Sequence, residues 1–275
     1  MQFLVENGPL RLRPCRRGLT LYNVNDLFIG RSLELYHEAQ ENELGLLLQL
    51  IKPGGVVVDA GANIGVHTQC FAAAVGPEGR VASFEPQRAL HQMLCANLAL
   101  NGLGNVHTFN NALGAAQGVG FMPNLDLSAP QNFGAARLSD SQQGEEIPVV
   151  CLDQLKLPNC QLIKIDVEGM ELEALLGAER IIKTHQPFIY IENSEEARSA
   201  DLVQTLFDFG CDCYWHLPMF FNPENAAKVS ENVFGKLVCI NMLCVPRSKG
   251  LSIQGLKKLE SAAESWREGA LYLGA

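Results

Sequence analysis

Residues 56–68 read Val56-Val57-Val58-Asp59-Ala60-Gly61-Ala62-Asn63-Ile64-Gly65-Val66-His67-Thr68: an apolar run ending on an acid, two glycines in quick succession, and a segment that can continue as a helix. A short apolar run bounded by turn residues is the pattern of a strand covered on both faces, and Gly61 lets the chain turn without a Cβ penalty. Strand, glycine turn and helix start together form the arrangement that holds nucleotide-type cofactors in α/β proteins.

The details of the turn sort the cofactors. A phosphate-binding loop requires Gly-Lys followed by Ser or Thr, which is missing here. A dinucleotide turn needs a middle glycine so that a pyrophosphate can approach the backbone; Asn63 stands at that position and its side chain obstructs the approach. S-adenosylmethionine (SAM) carries no phosphate. It offers a zwitterionic amino acid, a sulfonium and an adenosine. Asp59 at the strand end can accept from the ammonium, while the helix start and Thr68 can donate to the carboxylate.

Moving outward, strand and helix patterns alternate. Strand 80–84 precedes a helix over about 87–101, and strand 105–109 follows. Residues 112–150 break the rhythm, being rich in Gly, Pro, Ser and Asn. They read as an insertion that serves as acceptor contact or lid, with Asn132-Phe133-Gly134 its most suggestive piece. Strand 162–166, a helix over about 171–182, strand 188–191 and a helix over about 198–209 resume the alternation. Strands 211–216 and 237–244 bring the count to seven. A loop, not a helix of crossover length, joins them, so they should run antiparallel. The expected fold is α/β and Rossmann-like, of the class I methyltransferase type. Its sheet is seven-stranded and mostly parallel, with an antiparallel edge pair and helices on both faces. Before it, residues 1–37 form a β-hairpin extension, and a helix over 38–51 opens the main domain, which runs to 250. Residues 251–275 form a terminal helix, over 252–268, and a tail.

The second strand sharpens the cofactor reading. Ser83-Phe84-Glu85-Pro86 puts a carboxylate at its carboxyl end, where it can accept both ribose hydroxyls, which SAM and NAD each offer. Pro86 starts the next helix without needing a donor. Asn110-Asn111-Ala112 after the third strand either reaches the adenine edge or is an ordinary turn.

A chain of 275 residues, 47% apolar and 19% charged, is long enough for one large domain. Its formal charge of −9 argues against a nucleic-acid partner, which asks for a basic face. Arg11, Arg13, Arg16 and Arg17 form the one obvious basic cluster and read as a solvated edge. Nine irregularly spaced cysteines, with no CxxC pair, fit a reduced cytoplasmic protein. No basic-then-apolar leader is evident, and no apolar run approaches the ~20 residues that span a bilayer.

At Lys164-Ile165-Asp166-Val167-Glu168-Gly169-Met170-Glu171 the sequence resembles the FkbM methyltransferases. The likeness extends over DAGANIGVHT, FEPQ, NALG, NFG, LDQL and Ile191-Glu192-Asn193, in order, across roughly residues 30–245. It implies a Rossmann-like domain that moves a methyl group from SAM, usually to oxygen, on hydroxyls of natural products or glycans. It also implies a cofactor site at Asp59, Gly61, Asn63, Gly65, His67, Thr68, Glu85, Pro86, Asn111 and Asp166. Where the family often has Tyr-Gly-Glu, this chain has Tyr36-His37-Glu38. Glu38 and Glu43 either cover the methionine end of SAM or are solvated helix faces.

Methyl transfer to a hydroxyl gains most from collinear positioning and further from a base. Asp166 and His216 are the catalytic candidates, with Glu168 either a second carboxylate or the cap of the following helix. His216 lies in the aromatic stretch 214–221, which reads as an acceptor pocket or as core. Asp166, Glu192 and Asn193 resemble the oxygen ligands of catechol-type methyltransferases, so Mg²⁺ assistance is an alternative, though not the favoured one. Two competing readings are a nicotinamide oxidoreductase, which Asn63 disfavours, and a member that binds SAM without transferring a methyl group.

Overall fold

A computed structural model describes residues 5–139 and 141–267. The chain opens with a three-stranded antiparallel meander, β1 (Val5–Asn7), β2 (Leu10–Cys15) and β3 (Gly18–Asn23). Two short helices follow, α1 (Ile29–Tyr36) and α2 (Glu41–Leu47). The basic cluster in the meander is largely engaged. Arg16 and Arg17 pair with Glu38 and Glu41, and Arg13 is buried.

The main unit alternates as the sequence predicts: β4 (Val56–Ala60), α3 (Val66–Val75), β5 (Arg80–Phe84), α4 (Arg88–Leu100) and β6 (Val106–Phe109). The insertion folds as a small separate sheet of β7 (Ala112–Leu113), β8 (Gly118–Met122) and β9 (Glu145–Val150). Then come β10 (Leu162–Ile165), α5 (Glu171–Leu176), α6 (Glu179–His185), β11 (Phe188–Glu192), α7 (Glu196–Asp208), β12 (Cys211–His216), β13 (Asn241–Pro246) and β14 (Lys257–Lys258).

The main sheet has the order β14-β12-β13-β11-β10-β4-β5-β6. Seven of its eight strands are those expected, and the eighth is the two-residue β14. β13 runs antiparallel to both β11 and β12, which makes the reversed pair of the sequence reading. Every residue of β4 is buried, as a parallel strand covered on both faces requires. Val57 and Leu162 pack toward α2 and α3, and Val58 and Ile163 toward α5 to α7, giving two cores separated by the sheet.

Three elements depart from expectation. α1 falls in the region expected to be only hairpin. The helix expected over 171–182 is two helices because Gly177 stands against the Gly114 carbonyl and Asp153 starts a second helix. Its Oδ2 and Oδ1 accept the amides of Arg180 (2.7 Å) and Ile181 (2.9 Å). No helix runs through 252–265. Gly250 and Gly255 take positive φ, and Lys257–Lys258 pair with Trp215 and Tyr214; residue 268 lies outside the described residues.

The meander is fastened to α4 by two asparagines one turn apart. Asn97 accepts from the Leu21 amide (2.6 Å) and donates to its carbonyl (3.0 Å). Asn101 does the same for Leu19, at 2.9 and 2.7 Å. Among the described residues, no helix is long and apolar enough to cross a membrane.

Candidate active site

The carboxyl ends of β4, β5, β10 and β11 open into one cavity of about 270 Å³, at the strand tips where open α/β sheets bind ligands. Gly61 begins the first wall with φ 79°. Asn63 follows in a left-handed conformation at φ 51°, and its amide donates to Glu85 Oε2 at 2.8 Å. The other Glu85 oxygen accepts the Gln87 amide at 2.8 Å. Glu85 is thus fixed at the second strand tip, and burial pushes its carboxyl up to about 7 against those two amides. Asn110 braces the same tip by donating to the carbonyls of Glu85 and Pro86, at 2.9 and 2.8 Å. Pro86, Asn111 and Leu113 continue this wall.

The opposite side is acidic. Asp166, Glu168 and Glu192 each place a carboxylate oxygen within 4.8 Å of the other two. Burial, then Asp166, pushes Glu168 up to about 7 and Glu192 up to about 9. Glu43, buried in α2, is likewise pushed up to about 7 by desolvation. It lies 3.6 Å from His67 Nε2, and burial holds His67 well below the ordinary imidazole range, so the ring is neutral.

Of the cofactor residues expected from sequence, the cavity wall contains Gly61, Asn63, His67, Glu85, Pro86, Asn111 and Asp166. Asp59, Gly65 and Thr68 lie behind it. Asp59 is fully buried and accepts the Thr68 hydroxyl at 2.6 Å, so Thr68 serves the strand and not a ligand carboxylate. Gly65 is needed because a Cβ there would press on Leu94. Glu38 also turns away, accepting from Arg16, Asn222 and the Ala226 amide. Glu43 is buried and lines the cavity, so it is not a solvated helix face.

The catalytic candidates separate. Asp166 faces the cavity, whereas His216 is not among the lining residues. His216 Nδ1 lies 2.8 Å from the Tyr190 hydroxyl, which accepts from Asn241, and burial pushes the ring down to about 4. Of the aromatic stretch around it, Phe220 reaches the cavity and Trp215 belongs to the core. Glu168 does not cap the next helix. Glu171 accepts the Val167 and Gly169 amides at 3.1 Å, leaving Glu168 on the wall. Asn193 donates to Ser199 and Met242 and so leaves the oxygen set it was grouped with. Asn132 and Gly134 do line the cavity, anchored by Gln87 donating to the Phe133 carbonyl at 2.7 Å.

Lys164 was missed, although a lysine inside the apolar run Leu162-Ile163-Lys164-Ile165 is itself a signal. Among the described lining residues it is the one Lys or Arg, and it is already engaged by Gly61, Asp59 and Asp166. The wall therefore suits a ligand with hydroxyl donors and positive charge. SAM meets that description. The buried, unpartnered Gln87 Oε1 and His67 Nε2 are spare polar atoms on the same wall. A diphosphate finds no free cation there.

Residues 59–213 match the model of the methyltransferase FkbM domain. The methyltransferase sdnD of Sordaria araneosa is 31% identical over 158 residues, 45% of this chain and 60% of that protein. Methyltransferase 1 of Beauveria bassiana is 27% identical, over 45% of this chain and 58% of its own length. The chain thus spans about three fifths of the length of these two relatives. The crystal structure of an FkbM methyltransferase from Methylobacillus flagellatus superposes with a TM-score of 0.50 at 20% identity, covering 78% of this chain and 51% of that one, which speaks to the fold.

Proposed function

The chain belongs to the FkbM methyltransferase family, and we propose that it transfers a methyl group from SAM to a hydroxyl of a small-molecule natural product or sugar. The observation that carries this reading is the lining of the cavity: Glu43, Glu85, Asp166, Glu168 and Glu192 supply carboxyl groups, and among the described lining residues the one Lys or Arg, Lys164, is already paired. Such a wall favours an adenosyl-sulfonium over any phosphate-bearing cofactor.

When bound, SAM supplies a methyl carbon already activated by the sulfonium. Glu85 would accept the ribose hydroxyls, Asn111 would meet the adenine edge, and Pro86, Leu113 and Met122 would flank the base. Glu43 and Gly61 would hold the methionine end. On the acceptor side, Asp166 orients the hydroxyl. Glu168, pushed up to about 7, exchanges a proton near neutrality and is the carboxylate suited to take the hydroxyl proton. Glu192, pushed up to about 9, keeps its proton at neutral pH and can donate a hydrogen bond. Phe28, Ile29 and Phe220 give the acceptor an apolar bed.

Calorimetric titration tests the cofactor: SAM and S-adenosylhomocysteine should bind in the micromolar range and NAD should not. Release of methyl label over a panel of hydroxylated acceptors tests the transfer. Folded protein that ignores SAM, or retains NAD, would overturn the reading. The convergence of Asp166, Glu168 and Glu192 supports a second reading, with Mg²⁺ held among those carboxylates. The Lys164 ammonium, 3.2 Å from Asp166, opposes a second cation there. Exhaustive chelation should therefore leave turnover unchanged, and lost turnover restored by Mg²⁺ would favour the metal.

A further inference from the structure

Lys164 sits in the middle of β10 with its side chain 3% exposed. It lies directly opposite Asp59 in the β10–β4 register. Its ammonium donates to the Gly61 carbonyl at 2.9 Å and lies 3.2 Å from Asp166 Oδ2 and 3.6 Å from Asp59 Oδ1. Three separate pieces of backbone therefore meet at one nitrogen: the end of β4, the glycine turn after it, and the tip of β10. A buried charge satisfied this way is costly to disturb, because every partner loses its compensation together.

The two loops it joins also touch directly. The Asp166 amide donates to the Ala60 carbonyl at 3.1 Å, and the Asp166 carbonyl packs against Gly61. Asn63, two residues past Gly61, holds Glu85 through its amide. The position of the lysine is thus passed to the ribose-side carboxylate as well as to Asp166.

We propose that Lys164 is a positioning residue, whose buried ammonium ties the Gly61 carbonyl to the Asp166 carboxylate and so holds the glycine turn and the acidic tip of β10 in one register. This role rests on the reading of the cavity as a SAM site for its purpose, but the tie itself exists without ligand. Burial alone would lower the lysine, yet Asp166, Asp59 and Glu43 raise it, so it stays charged through the neutral range. Glu85, Glu168 and the neutral His67 complete the titratable groups that feel it.

Hydrogen exchange on the ligand-free full chain, comparing wild type with Lys164→Met and Lys164→Gln, reads the tie. Amides of 61–66 and 166–169 should exchange together at least about tenfold faster, with α7 and the N-terminal meander unchanged. In the same variants SAM and S-adenosylhomocysteine should both bind at least about tenfold more weakly. If the Met variant does not fold, the Gln variant, which keeps a polar group in place, carries the measurement. Wild-type exchange in both segments, faster exchange in one alone, or a general rise across the sheet would overturn the proposal. So would weaker binding of SAM with undisturbed binding of S-adenosylhomocysteine, which marks a purely electrostatic effect. Should wild type bind neither ligand, the SAM reading falls while the exchange result still decides the role of Lys164.

Discussion

The carbonyl oxygen of Asp166 stands where any side chain on Gly61 would have to go. The first glycine of the turn and the acid at the tip of β10, more than a hundred residues apart, are in backbone contact. Gly61 also has φ 79°, which a side chain resists. Gly61→Ala should cost about 1–3 kcal/mol of stability in denaturant unfolding and should weaken SAM binding by more than that strain alone would suggest, since the cavity floor must move. A variant with wild-type stability and affinity would show that the contact is not what fixes the turn.

Glu85 spends one face on the amides of Asn63 and Gln87 and lines the cavity with the remainder. Hydrogen bonds to a charged acceptor contribute about 1.5–3 kcal/mol, so Glu85→Gln should weaken SAM by roughly ten- to a hundredfold in calorimetry. Unchanged affinity would place the ribose elsewhere.

Stability should depend on pH in a definite direction. Glu43, Glu85 and Glu168 are pushed up to about 7 and Glu192 to about 9, above their unfolded values. Their stabilising contribution is full below about pH 4.5 and is lost as pH rises, by about 7 for Glu43, Glu85 and Glu168 and by about 9 for Glu192. His67 and His216 are held below their ordinary value, which costs stability only below about 6.5. The four carboxyls outweigh the two imidazoles, so the thermal stability of ligand-free protein should fall from about pH 5 upward, most steeply to about 7 and then more gently toward 9. Glu192→Gln should flatten the fall between 7 and 8.5; a variant that keeps the full slope would contradict the assignment.

Glu168 and His216 can be told apart by kinetics. With an accepted hydroxyl substrate, Glu168→Gln should lower kcat by about a hundredfold or more while leaving SAM affinity close to wild type. His216→Gln should leave kcat near wild type, because the ring faces Tyr190 and not the cavity. The reverse pattern would restore His216 as the base.

Most of the sheet was legible in the sequence because its strands are apolar runs closed by acids or turn residues, as at Val58-Asp59 and Phe84-Glu85. α1 was not, because its first turn carries Ile29, Gly30 and Ser32, which are weak helix formers, and its helix rests on Asp26 accepting the Gly30 amide at 2.8 Å and on burial of Leu33 and Tyr36. Asp59 and Thr68 both flank the turn, which gives them the sequence signature of ligand groups. Alternation along β4, however, sends Asp59 to the same side as Val57, toward α3, where Thr68 meets it. Glu43 precedes Leu44 and lies one turn before Leu47, so it sits on the buried face of its helix, a legible anomaly. The inward turn of Glu168 and the outward turn of Asn193 depend on φ 51° at Glu168 and on the Ser199 partner, neither of which leaves a mark in residue spacing.

Asn97 and Asn101 do for β3 what a neighbouring strand would do. Their amides fill the donor and acceptor sites of Leu19 and Leu21 along the side of β3 that β2 does not cover. A strand margin left open is a template on which another chain can add and aggregation can start. Here two side chains of one helix close that margin, so the small sheet gains protection from intermolecular growth without a fourth strand.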